Sequence, residues 1–371
     1  MKKSITVITG DGVGAEVTQQ SIKVLDAVAA HFSHQFSYTY CSMGASAIEE
    51  LGNPLPDKTI ESCLETDAIL LGTIANVQYN NGIASKVNPG QGLLGLIKII
   101  GLFASIRPVT IYPTLHHLSP LKNKIIEGVD LIIFKELDGG IYVGEKQAGN
   151  GQAGASDTCI YLKEEAGQIA HLAFKSAQQR RKKLTLVDNG NVLETSRLWR
   201  KVVLEIAGQY PDVQLNFLLA DTAAREIIVN PKQFDVILTE NLLGDILNDE
   251  ASAISGSLGL LASASVGNSN ALFAPVQSSC PLVAGKDIAN PIGSILSAAM
   301  MLEYFNLKDE AQLVRDAVQW TIESLFVSKD IDPINFYFTS TIGELVSEYI
   351  GGRISGSVNK ENIELRKSTI I

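Results

Sequence analysis

Three aspartates, a tyrosine and one strand-to-helix corner are the places in this 371-residue chain where residue type and spacing could do chemistry. Asp245 and Asp249 lie four apart in "ENLLGDILNDEASAISGSLGLLASAS" (Glu240 to Ser265), a helical pattern that puts both carboxylates on one face. Asp221, in "LLADTAAREI", ends a strand and opens another helix. Three hard oxygen donors from two elements suit Mg²⁺ or Mn²⁺, ions that keep waters and take a chelating substrate. The competing reading is that Asp245 and Asp249 favour a helix N-terminus and Asp221 caps one. Tyr142 follows the glycine pair of "KELDGGIYVG", where it suits proton donation in a closed cleft or simple packing in a strand. The corner "VDNGNVLETSRLW" (Val187 to Trp199) displays Asn189, Gly190 and Asn191, none of which is an acid or base near neutral pH.

Short apolar runs must carry these groups. "SITVITG", "DAILLG", "VDLIIFK", "KLTLVD", "VQLNFLL" and "FDVILT" read as strands. "AEVTQQSIKVLDAVAAHF", "SRLWRKVVLEIAGQY" and "PIGSILSAAMMLEYF" have helical spacing. The alternation predicts an α/β fold with a largely parallel sheet. Between Gly139 and Lys163 two strand patterns flank a Gly-rich centre, which predicts an antiparallel arm suited to pairing with a second subunit. "GLLGLIKIIGLFASI" (Gly92 to Ile106) is too short to span a bilayer and reads as a buried helix. Gly10-Asp11-Gly12-Val13-Gly14 is a G-x-G-x-G turn, not the dinucleotide fingerprint, and serves as a tight turn or a phosphate cradle.

With 46% hydrophobic and 19% charged residues the chain is expected to be globular, with two domains. A net charge of −10 argues against nucleic acid and anionic membrane surfaces as partners. The basic run "QQRRKK" (Gln178 to Lys183) reads as the solvated end of a helix. Cys41, Cys63, Cys159 and Cys280 are far apart and suggest neither zinc nor a disulfide scaffold. The first apolar run breaks too early for a signal peptide, so a cytoplasmic protein is expected.

Taken together, "GDGVGAEV", "GQGLLGL", "GLFASIRPV", "EGVDLIIFKELDGGIY", "NVLETSRLWRKVV", "NPKQFDVILTENLLGDILNDEAS" and "AGKDIANPIGSILSAAMML" resemble the isocitrate/isopropylmalate dehydrogenases, most closely the 3-isopropylmalate branch, nearly end to end. The resemblance implies a dimer of two-domain chains. Residues 1–105 and 258–371 would form the cofactor-side domain, and residues 106–257 the dimerisation and metal-side domain, with arm 139–163. It implies oxidative decarboxylation of a small 2-hydroxy acid: a divalent metal chelates the substrate, NAD takes the hydride, CO2 leaves, and a tyrosine protonates the enol. Residue by residue, Asp221, Asp245 and Asp249 match the metal ligands, with Asp221 also at the substrate. Tyr142 matches the proton donor and Arg107 one substrate-binding arginine.

The same comparison marks departures. Asn189 stands where the family carries a lysine, supplied across the dimer, that helps remove the hydroxyl proton; loss of such a group typically costs ~10²–10⁴ in rate. Ile97 and Lys135 stand where two more substrate-binding arginines are expected, and lysine keeps the charge without the bidentate fork. On the cofactor side, Gln277 and Ser278 replace His-Gly, Leu282 replaces the aspartate that holds the ribose, and Gly90 replaces a glutamate, while Asn290 is retained. No basic residue replaces the acid to favour NADP. Two readings follow: an enzyme with altered substrate or weakened activity, or a catalytically inactive paralogue acting as a binding or regulatory subunit. The partner chain would be a second copy or a related subunit of a mixed oligomer.

Overall fold

The computed structural model describes residues 1–75, 88–147 and 154–354. The chain forms two compact units, one of residues 1–100, 257–264 and 268–371, the other of residues 101–256 and 265–267. The strands among the described residues are β1 (Lys2–Gly10), β2 (Gln35–Cys41), β3 (Ala68–Thr73), β4 (Leu102–Thr110), β5 (Asp130–Glu136), β6 (Lys146–Gln147), β7 (Ser156–Asp157), β8 (Lys183–Asp188), β9 (Gln214–Leu219), β10 (Val236–Thr239), β11 (Ala262–Gly267) and β12 (Ala271–Pro275).

In the first unit the order β2-β1-β3-β12 is parallel throughout. All six residues of β3 are buried, as expected of a strand covered on both faces. Helix Gly14–Phe32 follows β1 directly, and the turn between them needs glycine. Gly12 has φ +59, and a Cβ there would lie 1.9 Å from the Ser279 carbonyl oxygen. The turn's amides are spent inside the protein: Asp11 N–H donates to Thr73, Val13 N–H to Ser279 and Gly14 N–H to Asp11. The Asp11 carboxylate in turn accepts from the amides of Ala45, Ser46 and Ala75. Of the two sequence readings, this is the tight turn.

The second unit has the order β4-β5-β10-β8-β9, with β4 antiparallel to β5 and the other pairs parallel. Side chains alternate across this sheet with period two. Phe134, Leu186, Val236 and Leu238 pack on one face beneath helices Lys163–Gln179 and Glu194–Ala207, around the buried Trp199 and the Tyr161 ring 5.5 Å from it. Leu131, Ile133, Val187 and Ile237 pack on the other face with Ala223, Ile227, Leu247 and Ala251, from helices Ala220–Val229 and Asn241–Ser252. Burial of each large apolar side chain is worth roughly 1.5–3 kcal/mol, so these two clusters dominate what fixes the register. β6 and β7 form a separate antiparallel pair within the region predicted as an arm.

Two sequence expectations are corrected. The run Gly92 to Ile106 is not one buried helix: helix Pro89–Ile99 stops at the left-handed Gly101 and β4 begins at Leu102. Leu94 and Ile99 on that helix are exposed. The basic run at 178–183 is also not merely a solvated helix end. Arg180 pairs at 2.8 Å with both Asp130 and the fully buried Asp235, so it serves as a buried counter-ion. The four cysteines are free, and no helix of the described residues is long and apolar enough to cross a membrane.

Candidate active site

Helix Asn241–Ser252 rises from the end of β10 with Glu240 at its N-cap position. Asp245 is its fifth residue and Asp249 lies one turn later, beyond the reach of the helix N-terminus, so the dipole reading does not account for them. Each carboxylate instead faces a cation from the neighbouring strands. Lys135, on β5 and only 7% exposed, donates to Asp245 at 2.6 Å. Its aliphatic stem runs against the helix because residue 244 is glycine; a Cβ there would sit 2.3 Å from Lys135 Cγ. Arg107, on β4, reaches Asp249 at 3.7 Å. Burial works against the Arg107 charge, while Asp245 and Asp249 support it. Its Nε is buried with no hydrogen-bond partner in the structure. That nitrogen is shielded from solvent, and it is the terminal Nη1 that faces Asp249.

Tyr142 joins the same group. It is not a packed strand residue: it lies in the turn after β5, is 37% exposed, and hydrogen-bonds Asp245. Burial, then the Asp245 charge and hydrogen bond, push its hydroxyl up to about 12, so it keeps its proton at neutral pH and can give it. The turn is held from below by Glu136, the last residue of β5, whose Oε1 accepts from the amides of Asp138 and Gly139. Burial pushes Glu136 up to about 7 despite those two donors.

The corner bearing Asn189 is braced on three sides. Asp188 is fully buried and takes two bonds from Arg200, at 2.7 and 2.8 Å, and one from the Gly190 amide. Arg197 donates to the carbonyls of Gly190, Asn191 and Val192. The Asn189 amide donates to Ser196 Oγ at 3.2 Å, and Ser196 donates to Glu240. Glu136, Ser196 and Glu240 were absent from the sequence reading. The available signal was polar residues at strand ends, where a buried side chain meets free backbone amides.

Asp221 stands apart. It is exposed, second in helix Ala220–Val229 and not its cap, and its Oδ1 accepts from the Thr222 amide and hydroxyl. Among the described residues of one chain no three His, Cys, Asp or Glu side chains gather to hold a metal ion. Asp245 and Asp249 alone supply hard carboxylate oxygens on one face, and these donors fit Mg²⁺ or Mn²⁺ as part of a set.

In the other unit the positions matched to cofactor binding are mostly committed elsewhere. Asn290 is 3% exposed; its Nδ2 donates to Asp330 and its Oδ1 accepts from the Ile292 amide. Ser278 Oγ lies 3.1 Å from Cys280 Sγ. Leu282 is 87% exposed and offers no acceptor to a ribose hydroxyl. Gly90 donates its amide to the Asn88 cap, and Ile97 is half-buried on the same helix, with an apolar side chain where a guanidinium was expected. These residues do not fit the adenosine ribose of NAD in the way the resemblance implies.

Comparison with known proteins identifies the family. The isocitrate/isopropylmalate dehydrogenase family profile matches residues 4–346. A 3-isopropylmalate dehydrogenase of Priestia megaterium is 46% identical over 342 residues, covering 91% of this chain and 92% of the relative. One from Bacteroides fragilis is 43% identical over 352 residues, covering 94% and 99%. Among solved structures, isocitrate dehydrogenase from Methylococcus capsulatus superposes with a TM-score of 0.83 at 30% identity, covering 94% of this chain and 99% of that one. A β-decarboxylating dehydrogenase from Thermococcus kodakarensis gives 0.77 at 31%, covering 94% and 96%. The chain therefore belongs to the isocitrate/isopropylmalate dehydrogenase family of oxidoreductases.

Proposed function

We propose that the protein carries out NAD-dependent, metal-assisted oxidative decarboxylation of a 2-hydroxy acid of the 3-isopropylmalate type, with an altered substrate or weakened turnover. The observation that carries this reading is the convergence of Arg107, Lys135 and Tyr142 on Asp245 and Asp249. When bound at these carboxylates, Mg²⁺ or Mn²⁺ supplies Lewis-acid stabilisation of charge on the substrate oxygens. Arg107 and Lys135 grip substrate carboxylate. Tyr142 delivers its proton to carbon as CO2 leaves. Asn189 orients a water or a substrate oxygen but takes up no proton, so the base step falls to solvent or to another chain.

The working unit in this reading is a cytoplasmic homodimer or a mixed oligomer. Asp221 does not complete a metal-holding group of three with Asp245 and Asp249 among the described residues of one chain, which supports a site completed by Asp221 of a second chain. A second reading, an inactive binding or regulatory subunit, is favoured by Asn189 and the exposed Leu282 together.

The deciding assay supplies purified protein with NAD, Mg²⁺ and a panel of 2-hydroxy acids that includes 3-isopropylmalate, and follows NADH and CO2. Stoichiometric release of both products is expected. No product from any acid, with no NAD binding by calorimetry, would replace the enzyme reading with the second one.

A further inference from the structure

Two parts of the candidate site, the Asn189 corner and helix Asn241–Ser252, are tied by a buried link that touches neither substrate nor metal. The Asn189 amide donates to Ser196 Oγ at 3.2 Å, and the Ser196 hydroxyl donates to Glu240 Oε1. Ser196 is fully buried and Glu240 is 4% exposed. Glu240 is the single residue between β10, which ends at Thr239, and the helix that carries Asp245 and Asp249. The next residue, Asn241, continues the path: its amide donates to Tyr161 Oη at 2.9 Å and its Nδ2 to the Gly139 carbonyl at 3.2 Å, in the segment leading to Tyr142. A carboxyl group this deep resists ionisation, and the Ser196 hydroxyl is its one side-chain donor opposing that. Removing the donor therefore displaces or protonates Glu240 and moves the first turn of the helix.

We propose that Glu240 and Ser196 are positioning residues, a buried hydrogen-bonded pair that sets the Asn189 corner and the Asp245–Asp249 helix in register with each other. The idea rests on the metal site of the preceding reading for its consequence, though not for its structural content. The pair acts as one unit because, among the described residues, the side-chain bond from each member to the other element is the Ser196–Glu240 contact.

The test uses the full-length protein, Ser196→Ala, Glu240→Gln and the double variant. Two quantities are read: amide hydrogen exchange without ligand, and Mn²⁺ binding by calorimetry with Mn²⁺ alone. The glutamine keeps the acceptor oxygen and the volume, so it guards against simple loss of folding. In Ser196→Ala, exchange is expected to speed by about tenfold both at Asn189–Gly190 and at the first turn from Asn241. Mn²⁺ affinity should weaken by about three- to tenfold, Glu240→Gln should lie between this variant and the unaltered protein, and the double variant should be no worse than Ser196→Ala. Faster exchange confined to Asn189–Gly190, or effects of the two variants that add, would overturn the proposal. If the unaltered protein binds no Mn²⁺, the metal reading fails, while the exchange pattern still decides for or against the link.

Discussion

The metal-side group and the cofactor-side loop of this chain have been treated differently. Around Asp245 and Asp249, ionic and polar side chains point at one another: Lys135 at 2.6 Å, Arg107 at 3.7 Å, and Tyr142 still protonated. Around residues 277–290 the Asn290 side chain is spent on the fold, Gln277 keeps a buried amide nitrogen without a partner, and Leu282 is 87% exposed. The contrast teaches that family membership does not guarantee every part of the family's chemistry equally. Asp245, Asp249 and Tyr142, which the resemblance matches to metal binding and proton donation, lie together, while Asp221 does not complete a set of three carboxylates with them among the described residues of one chain. Asn189 and Leu282 stand at the positions the resemblance matches to the proton-accepting lysine and the ribose-holding aspartate, and their side chains offer no base and no acceptor respectively.

The largest expected effect comes from breaking the metal side. Asp245→Asn removes one hard anionic ligand and the charge opposite the nearly buried Lys135, while its amide oxygen can still accept from Tyr142. Mn²⁺ affinity measured by calorimetry should fall by at least about 100-fold, more than the 1.4 kcal/mol of a tenfold loss. An unchanged affinity would mean that these carboxylates serve only as counter-ions to Lys135 and Arg107.

Much of this contrast was legible in the sequence, for physical reasons that can be named. The spacing of Asp245 and Asp249 survives as a shared helix face because a four-residue step is close to one turn. The β-branched runs became parallel strands because period-two burial on two faces leaves few alternatives. Spacing could not show that Gly101 cuts an apolar run into helix and strand, because hydropathy does not distinguish the two when both pack. Nor could it reveal that Arg180 answers the buried Asp235, a contact across 55 residues. Glu136, Ser196 and Glu240 were invisible for the same reason: their roles depend on which strand ends become neighbours. Asn290 shows the opposite hazard, a residue matched by motif whose side chain is already committed to Asp330.

A smaller effect sharpens the cofactor side. Leu282→Asp places a carboxylate acceptor at an 87% exposed position, where substitution costs the fold little. NAD affinity is expected to rise about tenfold by calorimetry, the scale of one good hydrogen bond to an ionised group, while NADP gains nothing because the new charge repels its 2′-phosphate. Equal gains for both cofactors would point to a general change in the loop rather than to a restored ribose contact. No gain for either would mean that the loop's backbone, and not position 282, limits binding.

The smallest effect is one of pH, and it belongs to the metal side alone. Glu136 is buried beneath the Tyr142 turn with its pKa pushed up to about 7, against 4.5 for an ordinary glutamate. Between those values the folded chain holds a proton that the unfolded chain has released. The stability from this group is therefore complete below about pH 4.5 and is lost as pH rises through 7. Glu136→Gln keeps an oxygen to accept from Asp138 and Gly139 and cannot ionise. The variant's melting temperature should accordingly gain on that of the unaltered protein by a few degrees between about pH 5 and 7, and the gap should level off above that. Amide exchange should follow the same curve at residues 139–144 and stay flat, between the two proteins, at 281–287. Parallel melting curves across this range would mean that the unfolded chain shares the shift or that the folded site stays ionised. The buried carboxyl would then be an anchor for the turn without being a source of pH dependence.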